Sequence, residues 1–159
     1  KDCRIPYIND SKKLSEKKRE ELAQIIKQEA IEVNVTMESP EVIDQINILQ
    51  ATLQSMKKSI LGMEHKPDIV LADAVTIPGI PCDQEAIIKG DAKSISIAAA
   101  SIVAKVTRDH MMEEYDKLYP EYDFASNKGY GTAKHMEALK EHGACPIHRK
   151  TFIKNFLDN

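Results

Sequence analysis

Apolar positions along the chain follow two rhythms, and the change from one to the other marks the elements. From Ser15, a suitable N-cap, Leu22, Ile25 and Ile26 recur at helical spacing among charged neighbours and predict an amphipathic helix to about Glu29. Ile31, Val33, Val35 and Met37 then alternate with Glu32, Asn34, Thr36 and Glu38, the period of a strand with one face covered. Ser39-Pro40-Glu41 combines a capping side chain, a proline suited to the first helical position and an acid at the positive end of the dipole. The long helix it starts carries Val42, Ile43, Ile46, Leu49, Leu53, Met56 and Ile60 and stops at Gly62. Ile69 to Ala72 is apolar on both faces, as in a buried strand of an α/β sheet, and ends on Asp73. A turn-rich stretch with Pro78, Gly79 and Pro81 leads to a short strand, Ala86 to Ile88, that stops at Lys89-Gly90-Asp91. Ser94 to Tyr119 reads as a second long helix, and its small apolar start, Ile97 to Ala104, suits close packing on a sheet. A loop from Pro120 to Gly131, a helix around Thr132 to His142 and a terminal segment with Phe152, Phe156 and Leu157 complete the chain, whose opening to Ser11 reads as loop.

Composition narrows this reading. With 159 residues and 42% hydrophobic content, a single domain with one core is expected. No apolar run reaches roughly 18 residues and no charged-then-apolar leader opens the chain, so the expectation is a cytoplasmic protein away from membranes. The three cysteines, Cys3, Cys82 and Cys145, are far apart and form no C-x-x-C pair, as expected of reduced thiols with structural roles. A net charge of −3 excludes nucleic-acid binding by bulk electrostatics, so any such binding has to be local. Basic residues do cluster locally: Lys12, Lys13, Lys17, Lys18 and Arg19; Lys105 and Arg108; Lys128, Lys134, Arg149 and Lys150. Each cluster also reads as a solvated face.

Candidate chemistry gathers at strand ends. Asp73 closes one predicted strand and Asp91 follows the next, at the edge of an α/β sheet where ligand sites collect. If the strands are neighbours, the two carboxylates converge, and oxygen donors of this kind suit Mg²⁺ or Mn²⁺; the alternative is two ordinary turn aspartates. The histidines, His65, His110, His135, His142 and His148, show no H-E-x-x-H pattern or readable catalytic triad, and packing or surface roles are expected. No glycine pattern matches a nucleotide-cofactor loop, which sets aside a small α/β enzyme acting on a phosphorylated ligand. Tyr130, between Gly129 and Gly131 and after Lys128, either presents its ring to a sugar or base beside a phosphate-binding cation or packs within a turn.

Several strings, in order, resemble the ribonuclease HII family: Asn9-Asp10-Ser11-Lys12-Lys13-Leu14, Ile43-Asp44-Gln45-Ile46-Asn47-Ile48, Leu71-Ala72-Asp73 and Lys89-Gly90-Asp91. Ala98 to Asp109, Lys128-Gly129-Tyr130-Gly131-Thr132 and Pro146-Ile147-His148-Arg149 continue the likeness over essentially the whole chain. The resemblance implies an α/β ribonuclease H-like fold, a mixed five-stranded sheet flanked by helices, and four carboxylates holding two divalent ions, Mg²⁺ or Mn²⁺. Asp73 and Asp91 match the third and fourth carboxylates. Asp109 matches no metal ligand and is expected on the helix surface or beside a cation. The implied substrates are RNA–DNA hybrids and DNA containing ribonucleotides, cut to leave 5′-phosphate and 3′-hydroxyl ends by a monomeric enzyme. Lys12 would contact backbone phosphate, Asn9 and Ser11 would shape that loop, and Tyr130 would pack on the deoxyribose next to the ribonucleotide.

The chain departs from the family at its front. The family's opening strand, its Asp-Glu pair and the following x-Gly-Arg-Gly do not precede Lys1 here. The expectation is a single catalytic domain over 1–159, N-terminally incomplete, with the first two strands absent and the apolar faces of Ile31 to Met37 and Ile69 to Ala72 lacking neighbours. Such a chain alone is expected to be inactive, and the alternative reading is a non-catalytic nucleic-acid-binding module using Lys12, Lys105, Lys128 and Tyr130.

Overall fold

A computed structural model describes residues 14–157 and divides the chain into two compact units, residues up to 37 with 53–106, and residues 38–52 with those from 107 onward. The element order is α1 (Glu16–Glu29), α2 (Pro40–Leu61), β1 (Ile69–Asp73), β2 (Asp83–Ile87), α3 (Gly90–Lys93), α4 (Ile95–Leu118), α5 (Phe124–Asn127), α6 (Ala133–His142) and α7 (Lys150–Leu157), an α/β arrangement. No helix among the described residues is long and apolar enough to cross a membrane.

In the first unit, Ser15 caps α1 by accepting from the Lys18 N–H at 3.3 Å, as the sequence predicts. Leu22, Ala23 and Ile26 of α1 bury against Ala98, Ile102, Val103 and Val106 of α4. The small-residue start of α4, expected to lie on a sheet, thus shares a buried cluster with α1. A second cluster joins Ile60 of α2, Ala72 of β1 and Ile77.

Among the described residues the sheet has two strands, β1 and β2, paired in parallel with Asp73 opposite Ile87. The second strand begins at Asp83, earlier than its apolar residues suggest. Their connection is held by Gln84, whose side chain accepts from the Ile77 N–H at 2.7 Å and donates to the Ile77 carbonyl at 2.9 Å.

The strand predicted over Ile31 to Met37 is not one. The alternation survives, but the polar side chains make the contacts: Asn34 donates to the Ser59 carbonyl at 2.7 Å, Thr36 to the Ser55 carbonyl at 2.7 Å, and Glu32 accepts the N–H groups of Glu64 and His65 at 2.9 Å. Asn34 and Thr36 thus bond to the second half of α2 and Glu32 to the residues just beyond it, and among the described residues no backbone ladder forms here. The apolar face stays uncovered, with Ile31 86% and Met37 59% exposed. On β1 the expected exposure is confined to Ile69; Ala72 is buried and Val70 and Leu71 are half-buried.

In the second unit, the predicted continuous helix is broken at Asn47, whose φ of 66° and ψ of 166° lie outside helical space. Its side chain caps the restart by accepting from the Gln50 N–H at 3.1 Å. The core comprises Met112, Tyr122, Phe124, Ala138, Leu139, Cys145 and Ile153. Thr132 caps α6, as its position predicts.

Within that core the histidines are placed by packing and hydrogen bonding. His148 Nδ1 accepts from the Cys145 N–H at 3.0 Å, so a neutral His148 carries its proton on Nε2 and donates to His135 Nε2 at 3.3 Å. His135 then keeps its proton on Nδ1 for the Tyr122 carbonyl, 3.2 Å away. A second proton on His148 Nδ1 would oppose the Cys145 N–H that donates to it. Burial, with His135 and Arg149 nearby and only the Cys145 backbone bond opposing, holds His148 below the ordinary histidine range. The unfolded chain binds a proton near pH 6.5 while the folded one resists it, so the stabilisation is complete above about pH 6.5 and declines as pH falls through that value. Urea unfolding should show a midpoint that drops between about pH 7.5 and 5.5; an unchanged midpoint would rule out a neutral His148 in the fold.

Candidate active site

Parallel pairing puts the C-terminal ends of β1 and β2 at one edge, and the candidate site is built there. Asp73 ends β1, and its Oδ1 accepts from the Gly90 N–H at 2.8 Å. Gly90 follows β2 and opens the short helix α3, whose second residue is Asp91. One hydrogen bond therefore joins the Asp73 carboxylate to the residue that directly precedes Asp91. A bond from a backbone N–H to a carboxylate is worth about 1.5–3 kcal/mol, enough to hold the strand end in place.

The local backbone is unusual on both sides of this bond. Ala74, directly after Asp73, has φ of 56°, and Lys89, directly before Gly90, has φ of 56°. Non-glycine residues in the left-handed region cost energy and concentrate at functional sites. The Ala74 N–H donates to the Ile87 carbonyl at 3.1 Å, which extends the strand pairing by one bond and sets this turn. Gly90 sits close to its neighbours: a Cβ there would lie 2.5 Å from Ile97 Cδ1, which would have to turn aside, and 3.4 Å from Asp73 Cα, an ordinary contact. Asp73 is exposed and Asp91 half-buried, so the first carboxylate is open to a ligand.

Both carboxylates offer hard oxygen donors, the type preferred by Mg²⁺ and Mn²⁺. Among the described residues no three His, Cys, Asp or Glu side chains converge as a metal site, so this pair does not by itself make a cation cage. The donor chemistry fits a divalent ion that keeps several waters.

Tyr130 lies in the second unit, 67% exposed, on a turn between α5 and α6. Lys128 has φ of 50° and Gly129 φ of 81°, and these two left-handed residues reverse the chain just before Tyr130. Lys128 is not the solvent-facing cation suggested by sequence. Its ammonium donates to Glu113 at 2.6 Å and its side chain is 15% exposed. Asn9, Ser11 and Lys12 lie outside the described residues.

Some expectations change and some residues emerge only here. Asp109 is 3% exposed, so of its two expected roles the surface one is set aside and that of a buried structural residue of α4 stays open. Asp44, carried in a recognisable string but given no role from sequence, caps α7: it accepts from the N–H groups of Lys150 at 2.8 Å and Thr151 at 2.9 Å, and from the Thr151 hydroxyl at 2.5 Å. Desolvation raises the Asp44 carboxyl pKa, but the Thr151 and Lys150 bonds prevail and lower it. Arg108 donates to the Lys128 carbonyl at 3.3 Å, a role for which the sequence offers only proximity to a basic cluster. Cys145 is a buried free thiol and Cys82 a half-buried one, as their spacing suggests, while Cys3 lies outside the described residues.

Comparison with known proteins places these features in a lineage. The family model described as ribonuclease HII matches residues 7–155. The chain is 57% identical over 157 residues to a ribonuclease HII of Caldanaerobacter subterraneus subsp. tengcongensis, covering 99% of this chain and 65% of that protein. It is 61% identical over 155 residues to a ribonuclease HII of Lachnoclostridium phytofermentans, covering 98% of this chain and 61% of that protein. Among solved structures, the ribonuclease H2 from Pyrococcus horikoshii OT3 superposes with a TM-score of 0.79 at 25% identity, covering 96% of this chain and 81% of that one. The chain thus spans less than two thirds of the length of these two bacterial relatives. With a family match over nearly its whole length and a shared fold, the chain belongs to the ribonuclease HII family.

Proposed function

We propose that this protein hydrolyses the RNA strand of RNA–DNA hybrids and incises DNA at embedded ribonucleotides, leaving 5′-phosphate and 3′-hydroxyl ends. The observation that supports the reading is the strand-end bond from the Gly90 N–H to Asp73, made by the residue that directly precedes Asp91. In this reading residues 1–159 belong to one catalytic domain that acts as a monomer in the cytoplasm.

Asp73 and Asp91 would hold divalent cations, Mg²⁺ or Mn²⁺, through their carboxylate oxygens. A bound divalent ion of this kind supplies an activated water and neutralises charge at the phosphate. The protein's own contribution is to keep Asp73 pinned by Gly90, so that the carboxylate is held in place before any ion or phosphate arrives. Tyr130 would pack on the deoxyribose next to the ribonucleotide, Lys12 would contact backbone phosphate, and Asn9 and Ser11 would shape that loop. Because Lys128 is engaged by Glu113, it is left out of the phosphate contacts in this scheme.

Asp73→Asn and Asp91→Asn each keep the side chain's shape and remove an anionic oxygen. Each should abolish divalent-dependent cleavage of a duplex with one ribonucleotide, while hybrid binding stays measurable by gel shift or anisotropy. Normal turnover by both variants at saturating Mg²⁺ would sink the assignment. Hybrid binding by the protein as encoded, with no divalent-dependent cleavage, would instead favour a non-catalytic nucleic-acid-binding module.

Tyr130→Ala removes an exposed ring and leaves the core intact. Cleavage at a single embedded ribonucleotide should fall by about fivefold or more, given roughly 1–3 kcal/mol for an aromatic contact to nucleic acid. The melting temperature should be unchanged, and undiminished cleavage would reduce the tyrosine to a turn residue.

A further inference from the structure

We propose that Asn127 is a positioning residue for Tyr130, fixing the turn that carries the ring before substrate arrives. The consequence for cleavage rests on the sugar-contact reading of Tyr130; the hold on the turn does not.

The Tyr130 ring is mostly in solvent, so its placement follows from the backbone beneath it. That backbone is fastened chiefly by Asn127, which is 6% exposed. Its Oδ1 accepts from the Gly129 N–H at 2.8 Å, and its main-chain carbonyl accepts from the Tyr130 N–H at 2.9 Å. Its Nδ2 donates to the Tyr122 carbonyl at 2.7 Å. The two backbone partners also decide the amide's orientation, since an N–H needs the oxygen and a carbonyl needs the nitrogen. Among the side chains of similar size, only an amide meets both demands without charge; aspartate keeps the acceptor and loses the donor, and alanine loses both.

Neighbouring groups close the turn from other sides. Arg108 donates to the Lys128 carbonyl at 3.3 Å, and a Cβ at Gly129 would lie 3.0 Å from Arg108 Nη2 and 3.3 Å from Met112 Sδ. Behind Asn127, the Tyr122 carbonyl also accepts from His135, which is tied to His148 and so to Cys145. The turn is thus anchored in a buried chain of hydrogen-bonded polar groups, and such a chain rigidifies what it holds.

The test uses the protein as encoded. Asn127→Ala should speed hydrogen exchange at the Gly129 and Tyr130 amides by about tenfold while α6 amides keep their protection. Unchanged exchange at both amides would overturn the inference, whatever cleavage does. Asn127→Asp keeps the acceptor facing Gly129, so that amide should stay protected; its loss of protection would count equally against the inference and covers the case in which the alanine variant does not fold. In cleavage of an embedded ribonucleotide, Asn127→Ala should cost about fivefold with Tyr130 present and less than about twofold in a Tyr130→Ala background. Equal losses in both backgrounds would show that Asn127 does not act through Tyr130. If Tyr130→Ala alone leaves cleavage unchanged, the sugar-contact reading fails, and the exchange measurement still decides whether Asn127 holds the turn.

Discussion

The parallel register of β1 and β2 is the constraint on which the candidate site depends. In a parallel pair the two strands end at the same edge, so residues that follow them are neighbours however far apart they lie in sequence. Asp73 stands opposite Ile87, and the chain needs only Ile88 and Lys89 to reach Gly90. From there the Gly90 N–H closes on Asp73, with left-handed residues on either side shaping the two exits. A shift of the register by one residue would move Gly90 away from that carboxylate and turn the strand's side chains to the opposite faces. Ile97, near the start of α4, lies against Gly90 at this strand end.

The second unit reaches rigidity by a different route. Its core buries Asn127, His135 and His148 among aromatic side chains, with the Tyr122 and His148 rings 4.9 Å apart edge to face. Burying such groups is costly unless each finds a partner. Here the partners are one another and the Tyr122 carbonyl: Asn127 and His135 both reach that carbonyl, and His135 reaches His148. Asp44 plays a comparable part at the start of α7, where its carboxylate satisfies N–H groups that the helix leaves unpaired. These polar contacts specify positions that apolar packing alone would leave loose.

Residues 31–37 show how the same alternation can serve another purpose. A period of two says only that successive side chains point opposite ways, not which side is covered. In this segment the polar side is engaged, by Asn34 and Thr36 with the second half of α2, and the apolar side of Ile31, Val33, Val35 and Met37 is exposed. An extended backbone becomes a strand only when a neighbour completes the ladder.

The sequence by itself determined where most elements begin and end, because the signals are local: the caps Ser15 and Thr132, the glycine after α2 and the apolar run closing on Asp73 all act within a few residues. The strings around Asp73, Asp91 and Tyr130 likewise sufficed to place the chain in its family. Tertiary structure alone decided what depends on partners distant in sequence. The break at Asn47, the pairing of Lys128 with Glu113 and the burial of Asp109 belong to this class. So do the cap that Asp44 supplies to α7, the alanine face of α4 meeting α1, and the amide of Asn127 fastening the Tyr130 turn. A side chain's type states what bonds it can form; which of them it forms is settled only when the folded chain removes water and brings a particular donor or acceptor within reach.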